Sequence, residues 1–230
     1  EIISRISKTG LSDIVSHRKL VLPQLGAPGV SAHEVTRQTG FSVVYGPVRA
    51  KDIKAFLNSG CKATGEMRTV KFTMWNRLVL IPVELAAAVK PSLMVFGVMF
   101  LINLFAARPF GLADFIAYAG AVVTGTVITP LLISLIPGRA FAWKGWLLGL
   151  LWTFGFIWYN GWFVSGFLLL AIGYLLVLPS LSAYLAMNFT GSSTYTSFSG
   201  VIKEMKIAVP LIAFSSIAGI VLVLIESLKA

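Results

Sequence analysis

The chain has 230 residues, 57% of them hydrophobic, with a mean hydropathy of +0.84 and a net charge of +10. No soluble domain of this size has that composition, so it reads as an integral membrane protein. A single cysteine, Cys61, excludes an intramolecular disulfide or a cysteine-rich metal site within these residues.

Charge is unevenly spread. Residues 1–90 hold 13 of the 19 Lys and Arg and 6 of the 9 Asp and Glu, a local net charge of +7. This suits a polar portion against anionic headgroups, followed by a membrane portion, and no nucleic-acid partner is expected. The expected domains are an α/β unit over 1–76, an amphipathic interfacial linker over 77–90 and a transmembrane unit over 91–230. The chain opens on Glu1 inside a helical pattern, so the expectation is that a further segment precedes it and completes the α/β domain.

Glu1–Ser7 reads as a helix with Ile2, Ile3 and Ile6 on its apolar face. Lys19–Pro23 reads as a strand too apolar for an exposed edge, hence a buried parallel strand. A loop with Gly26 and Gly29 follows, then a helix over Ala32–Gln38. Ser31 and Glu34 make a capping box, Val30 and Val35 a hydrophobic staple, and Gly40 the closing cap. Phe41–Tyr45 is a second strand, Gly46–Arg49 its outgoing loop, Lys51–Asn58 a helix and Met67–Phe72 a third strand. This alternation predicts a partial Rossmann-like, doubly wound α/β layer. Ligands of such folds sit beyond the carboxyl ends of the strands, where Gln24–Gly29 and Gly46–Arg49 both emerge. Arg49 is open to two readings, an anion contact or a solvent-facing cation. His17 and His33 read as solvated turn and first-turn residues, and Cys61 as a plain thiol.

Arg77–Lys90 is the amphipathic approach segment. Five apolar spans follow, at about Ser92–Ala107, Leu112–Ile136, Lys144–Tyr159, Phe163–Met187 and Ile207–Ile225, making the second unit all-α. Trp143, Trp146, Trp158, Tyr159 and Trp162 flank the third span as interfacial aromatics. The basic residues set the orientation. With the N-terminal unit cytoplasmic, Arg77, Lys90, Arg139, Lys144, Lys203 and Lys206 fall inside, and Arg108 and Lys229 outside. Mid-span positions carry no acid, base or histidine, which disfavours an ion-coupled transporter. Gly145 and Gly149 form a GxxxG pair suited to close helix packing. Pro130, Pro179 and Pro210 suggest kinks or irregular ends. The Ser/Thr-rich loop Asn188–Lys206 is placed on the cytoplasmic side.

Two stretches carry a family resemblance: Val15-Ser-His-Arg-Lys-Leu-Val-Leu-Pro-Gln-Leu-Gly-Ala-Pro-Gly-Val30 and Phe41-Ser-Val-Val-Tyr-Gly-Pro-Val-Arg-Ala50 with Asp52-Ile53. They closely resemble the membrane-bound corrinoid protein of mercury methylation. That family is related to the corrinoid iron–sulfur protein of the acetyl-CoA pathway, and it joins a cytoplasmic corrinoid domain to five membrane spans. The resemblance implies a cobalamin-type cofactor whose cobalt takes a methyl group, from a folate or a methyl-donor protein, and gives it to Hg(II). It also implies a ferredoxin-like iron–sulfur partner that reduces the cobalt, and residence in the cytoplasmic membrane. Gln24, Leu25, Gly26, Ala27, Gly29 and Val30 would then line one side of the corrin, and Gly46, Pro47, Val48 and Arg49 the other.

The family's cap-helix motif, Asn-Val/Ile-Trp-Cys-Ala-Ala-Gly-Lys, is not found in these residues. Cys61, in Ser-Gly-Cys-Lys-Ala, lacks its neighbours and is not assigned its cobalt-ligating role, so no catalytic or metal-ligating residue is assigned. The Asp-x-His-x-x-Gly signature of corrinoid proteins with a histidine lower ligand is also not found. Two other expectations stand beside mercury methylation: a corrinoid methyl carrier of one-carbon metabolism, and a non-catalytic membrane scaffold or permease.

Overall fold

A computed structural model folds the chain into two compact units, Glu1–Lys71 and Phe72–Ala230. It describes all residues except 71–72, 164–165, 190–197 and 230.

In the first unit, α1 (Ile2–Thr9) ends at Gly10, whose φ of 58° lets the chain turn into the short α2 (Leu11–Ile14). Strands β1 (Lys19–Leu22) and β2 (Ser42–Tyr45) pair in parallel, with Leu20 opposite Val43 and Leu22 opposite Tyr45. Parallel strands need a crossover, here α3 (Ala32–Thr39). Ser31 caps α3 by accepting the Glu34 N–H at 3.4 Å, and Gly40, at φ 73°, closes it. The capping box is half-formed, because the Glu34 carboxylate takes hydrogen bonds from Arg37 and Gln38 instead. The staple residues Val30 and Val35 join one apolar cluster with Ile6, Phe41, Leu20 and Val43.

Two expectations are corrected here. β1 is not a buried strand: Leu20 turns to the cluster and Leu22 is half-buried, but Val21 is 44% exposed. Among the described residues the sheet has only these two strands. The expected strand Met67–Phe72 is absent among the described residues. Its first part is a 3-10 turn, Glu66–Arg68, and residues 71 and 72 lie outside the described set. The Val48 N–H donates to the Met67 carbonyl of this segment at 2.9 Å. Helix α4 (Ile53–Asn58) buries Phe56 fully.

In the second unit, α5 (Met74–Asn103) runs 30 residues, capped by Thr73. The expected linker 77–90 is the first half of this helix, continuous with the expected first span. Neither Pro82 nor Pro91 ends it. Helix α6 (Leu112–Val123) widens into a π-turn over Thr124–Ile128 before α7 (Thr129–Leu132). Pro130, which has no N–H to give the preceding turn, follows this widening. The Thr129 hydroxyl takes the Thr124 carbonyl at 2.8 Å. Helices α8 (Phe141–Tyr159), α9 (Leu168–Asn188) and α10 (Phe198–Leu228) complete the bundle, with α9 packed along both its neighbours. Pro179 and Pro210 lie inside continuous helices. Of the expected loop Asn188–Lys206, residues from Phe198 onward are helical, and 190–197 lie outside the described residues.

Among the described residues, four helical stretches are long and apolar enough to cross a membrane: Met74–Asn103, Leu112–Leu132, Leu168–Asn188 and Ser199–Leu228. The remaining expected span is α8, a 19-residue helix whose four tryptophans and Lys144 make it less apolar than those four.

Gly145 and Gly149 set the distance between α8 and α9. A methyl group at Gly145 would lie 2.6 Å from the Ser182 carbonyl, and one at Gly149 2.7 Å from the Ser182 side chain. Ser182 in turn donates to the Ala121 carbonyl on α6 at 2.8 Å.

The few charges are placed at helix ends. Arg77 and Lys144 donate to the Leu131 and Ile133 carbonyls at the carboxyl end of α7. The Glu204 carboxylate accepts the Ala142 N–H at 2.8 Å at the amino end of α8. Each charge complements the helix dipole beside it. At another corner, Asp114 accepts the Gly111 N–H at 2.8 Å and the Tyr174 hydroxyl at 2.7 Å, with Arg108 3.5 Å away. Asn103 is the last residue of α5. It bonds both the N–H and the carbonyl of Phe110.

Candidate functional site

The candidate site lies at the carboxyl edge of the parallel pair. Because Leu22 and Tyr45 are register partners, the segments that follow them leave the same edge. After β1, Gln24–Gly29 is not an open loop but a 3-10 helix containing Pro28. After β2, Gly46 gives its N–H back to the Leu22 carbonyl at 2.8 Å, which extends the pairing by one bond.

The two segments differ in openness. Gly46 and Pro47 are buried. A side chain at Gly46 would meet Val21 Cγ1 at 3.2 Å and Phe56 Cε1 at 3.7 Å, so this glycine serves the packing of α4 on the sheet. Val48 is half-buried, its N–H committed to Met67, and Arg49 is exposed. The first segment is open instead. Nothing lies within 4 Å of where side chains on Gly26 and Gly29 would start, Leu25 is 67% exposed, and Gln24, Ala27 and Val30 are half-buried.

A tether joins the two sides. The Tyr45 hydroxyl donates to the Val30 carbonyl at 2.7 Å, so the end of β2 holds the end of the 3-10 segment. Tyr45 was not among the candidates read from sequence. Its signal there is a phenol at the carboxyl end of a strand.

One polar atom in this segment has an unmet requirement. Gln24 Oε1 is buried without a hydrogen-bond partner among the described residues. Such an acceptor costs about 1–3 kcal/mol unless a donor reaches it. The rim of a corrin ring carries primary amides, whose N–H groups are donors of that kind. Together with the uncovered Gly26 and Gly29 and the exposed Leu25, this acceptor makes the first segment compatible with a corrin edge. Of the second segment, only Val48 and Arg49 remain accessible to a ligand. Gly46 and Pro47, expected on the cofactor wall, are buried and act as support beneath it. The physical reason is the packing of Val21 and Phe56 against Gly46.

His17 is exposed, and so is His33, in the first turn of α3. Cys61 follows Gly60 with a left-handed φ of 64°. Among the described residues no group of three His, Cys, Asp or Glu side chains is gathered to hold a metal ion. Comparison with known proteins finds no matching family model, no matching curated protein and no matching solved structure.

Proposed function

We propose that the chain is a membrane-anchored corrinoid protein that serves methyl transfer to inorganic Hg(II). The observation that carries this reading is the unpartnered Gln24 Oε1 beside two uncovered glycines, in a segment whose sequence resembles the corrinoid cradle of mercury methylation. A bound corrinoid supplies the cobalt on which a methyl group is carried to mercury. The chain's own part is to hold that group. Gln24 accepts from a rim amide, Gly26 and Gly29 let the main chain approach closely, and Leu25 covers an apolar part of the ring edge. The tether from Tyr45 keeps that segment in place, and Arg49 is free to meet an anionic substituent.

The same reading takes the first unit as part of a Rossmann-like layer and counts α8 as a fifth span. Nineteen residues reach about 28 Å, close to a hydrocarbon core, and α8 packs along α9 through Gly145 and Gly149. The N-terminal unit faces the cytoplasm, where a ferredoxin-like donor of electrons and a methyl-folate or methyl-donor protein are available. The C-terminus lies outside, on the count of basic residues in the loops.

Two measurements test this. The purified chain, reconstituted with a corrinoid, is expected to retain the corrinoid spectrum through gel filtration, and Gln24→Ala to weaken retention. A colourless protein overturns the reading. A methylating host stripped of its own gene and complemented with this protein and a ferredoxin-like partner is expected to regain methylmercury. Corrinoid loading without product overturns the mercury assignment and leaves a corrinoid methyl carrier of carbon metabolism.

A further inference from the structure

A cleft of about 560 Å³ runs between α8, α9 and α10. Its walls include Trp143, Trp146, Ala183, Ala208 and Ile212, with the hydroxyls of Ser180 and Ser215. Small side chains on α9 and α10 make the space, and the stacked pair Trp143–Trp146, with ring centroids 5.6 Å apart, forms one side. Such a slot between membrane helices has the width and apolarity of an alkyl chain.

One end of the cleft is different in kind. It finishes at Ala140, Ala142 and Glu204, the amino end of α8. The Glu204 carboxylate is already committed to the Ala142 N–H. Three exposed cations neighbour these residues in sequence: Arg139, next to Ala140, and Lys203 and Lys206 on either side of Glu204. Lys203 lies one helical turn before Ile207, which lines the cleft, so both belong to one face of α10. An apolar slot that opens under a cluster of cations, with tryptophans at the boundary, matches one kind of molecule.

We propose that this cleft seats an acyl chain of an anionic phospholipid, whose phosphate is held by Arg139, Lys203 and Lys206. The proposal is independent of the corrinoid reading and rests on the bundle alone. Each cation near a headgroup strengthens the attraction about fivefold, so the three together favour an anionic over a zwitterionic lipid by roughly a hundredfold.

The test uses the full chain in mild detergent, stripped of lipid, with phosphatidylglycerol or phosphatidylcholine added back. Native mass spectrometry is expected to show one retained phosphatidylglycerol and little phosphatidylcholine, with a higher melting temperature in the former. The variant R139Q/K203Q/K206Q is expected to lose the preference while keeping its helical circular dichroism. Ala208→Phe, which fills the slot, is expected to lose retained lipid of both kinds. If that variant misfolds, the charge variant carries the test alone. Equal retention of the two lipids, or an unchanged preference in the charge variant, overturns the proposal. So does a lipid-independent dimer that Ala208→Phe dissociates, since a second copy would then occupy the cleft.

Discussion

Tyr45 and Val30 are fifteen residues apart in sequence and joined by a 2.7 Å hydrogen bond from phenol to main-chain carbonyl. The bond makes the end of one strand responsible for the shape of the segment that leaves the other. Tyr45→Phe keeps the ring and removes only the donor. It is expected to destabilise the first unit by about 1 kcal/mol and to weaken corrinoid retention severalfold. Unchanged retention, measured by absorbance after gel filtration, would show that the tether does not shape the site.

A second relationship concerns the bundle. Asp114 is 2% exposed and serves the Tyr174 hydroxyl, the Gly111 N–H and Arg108 together. Asp114→Ala leaves all three without their acceptor, and a loss of about 3 kcal/mol is expected, at the lower end for a broken buried pair because Arg108 remains partly exposed. Asp114→Asn keeps one acceptor oxygen and is expected to cost about half as much. Trp162 stacks on Tyr174 and lies under the Arg108 guanidinium, and unfolding of both variants followed by circular dichroism measures the change.

Helix α8 contains its own control. Gly145→Ala would press a methyl group against the Ser182 carbonyl and the Ala186 side chain, whereas nothing lies within 4 Å of the equivalent position on Gly155. The first change is expected to destabilise by about 1–3 kcal/mol through overpacking. The second is expected to be neutral or to stabilise by up to about 1 kcal/mol, since alanine favours helix over glycine. Thermal unfolding of the two variants in the same detergent compares them. Equal effects would mean that α8 and α9 do not approach through Gly145.

The Glu34 carboxyl is held below its ordinary range, first by the hydrogen bond from Arg37 and then by that from Gln38. The fold therefore favours the ionised form. Its small stabilisation is complete above the ordinary carboxylate pKa and fades as pH falls through the lower folded value. Glu34→Gln is expected to flatten that part of the acid limb in melts between neutral pH and about pH 3, and to change little at pH 7. A wild-type acid limb in the variant would assign the pH dependence to other carboxylates.

Several elements were legible in the sequence because their causes are local. Ser31 at the start of α3, Gly40 at its end and the Val30–Val35 staple act within a few residues, and each stands where it was expected. The apolar runs of the bundle and the GxxxG pair of α8 likewise follow from residue type and spacing. Other features depend on what a segment meets at long range. Met67–Arg68 has a strand-like composition but turns as a 3-10 segment, held to the unit through the Val48–Met67 bond. Arg77–Lys90 has an interfacial charge pattern, yet no local signal ends its helix before Asn103.

By itself the sequence determined that the chain is a membrane protein with a basic, mixed α/β front. It also determined that two glycine-containing segments follow two apolar strands, since composition and period depend on no partner. Only the tertiary structure decided that those segments are unequal. Gly46 is closed in by Val21 and Phe56, while Gly26 and Gly29 stay open beside an unpartnered Gln24 oxygen. It also decided that Arg77, Lys144 and Glu204 serve helix ends, and that Tyr45 reaches back to Val30. The reason is physical: whether a side chain is covered, paired or free depends on residues that are distant in sequence and become neighbours only when the chain has folded.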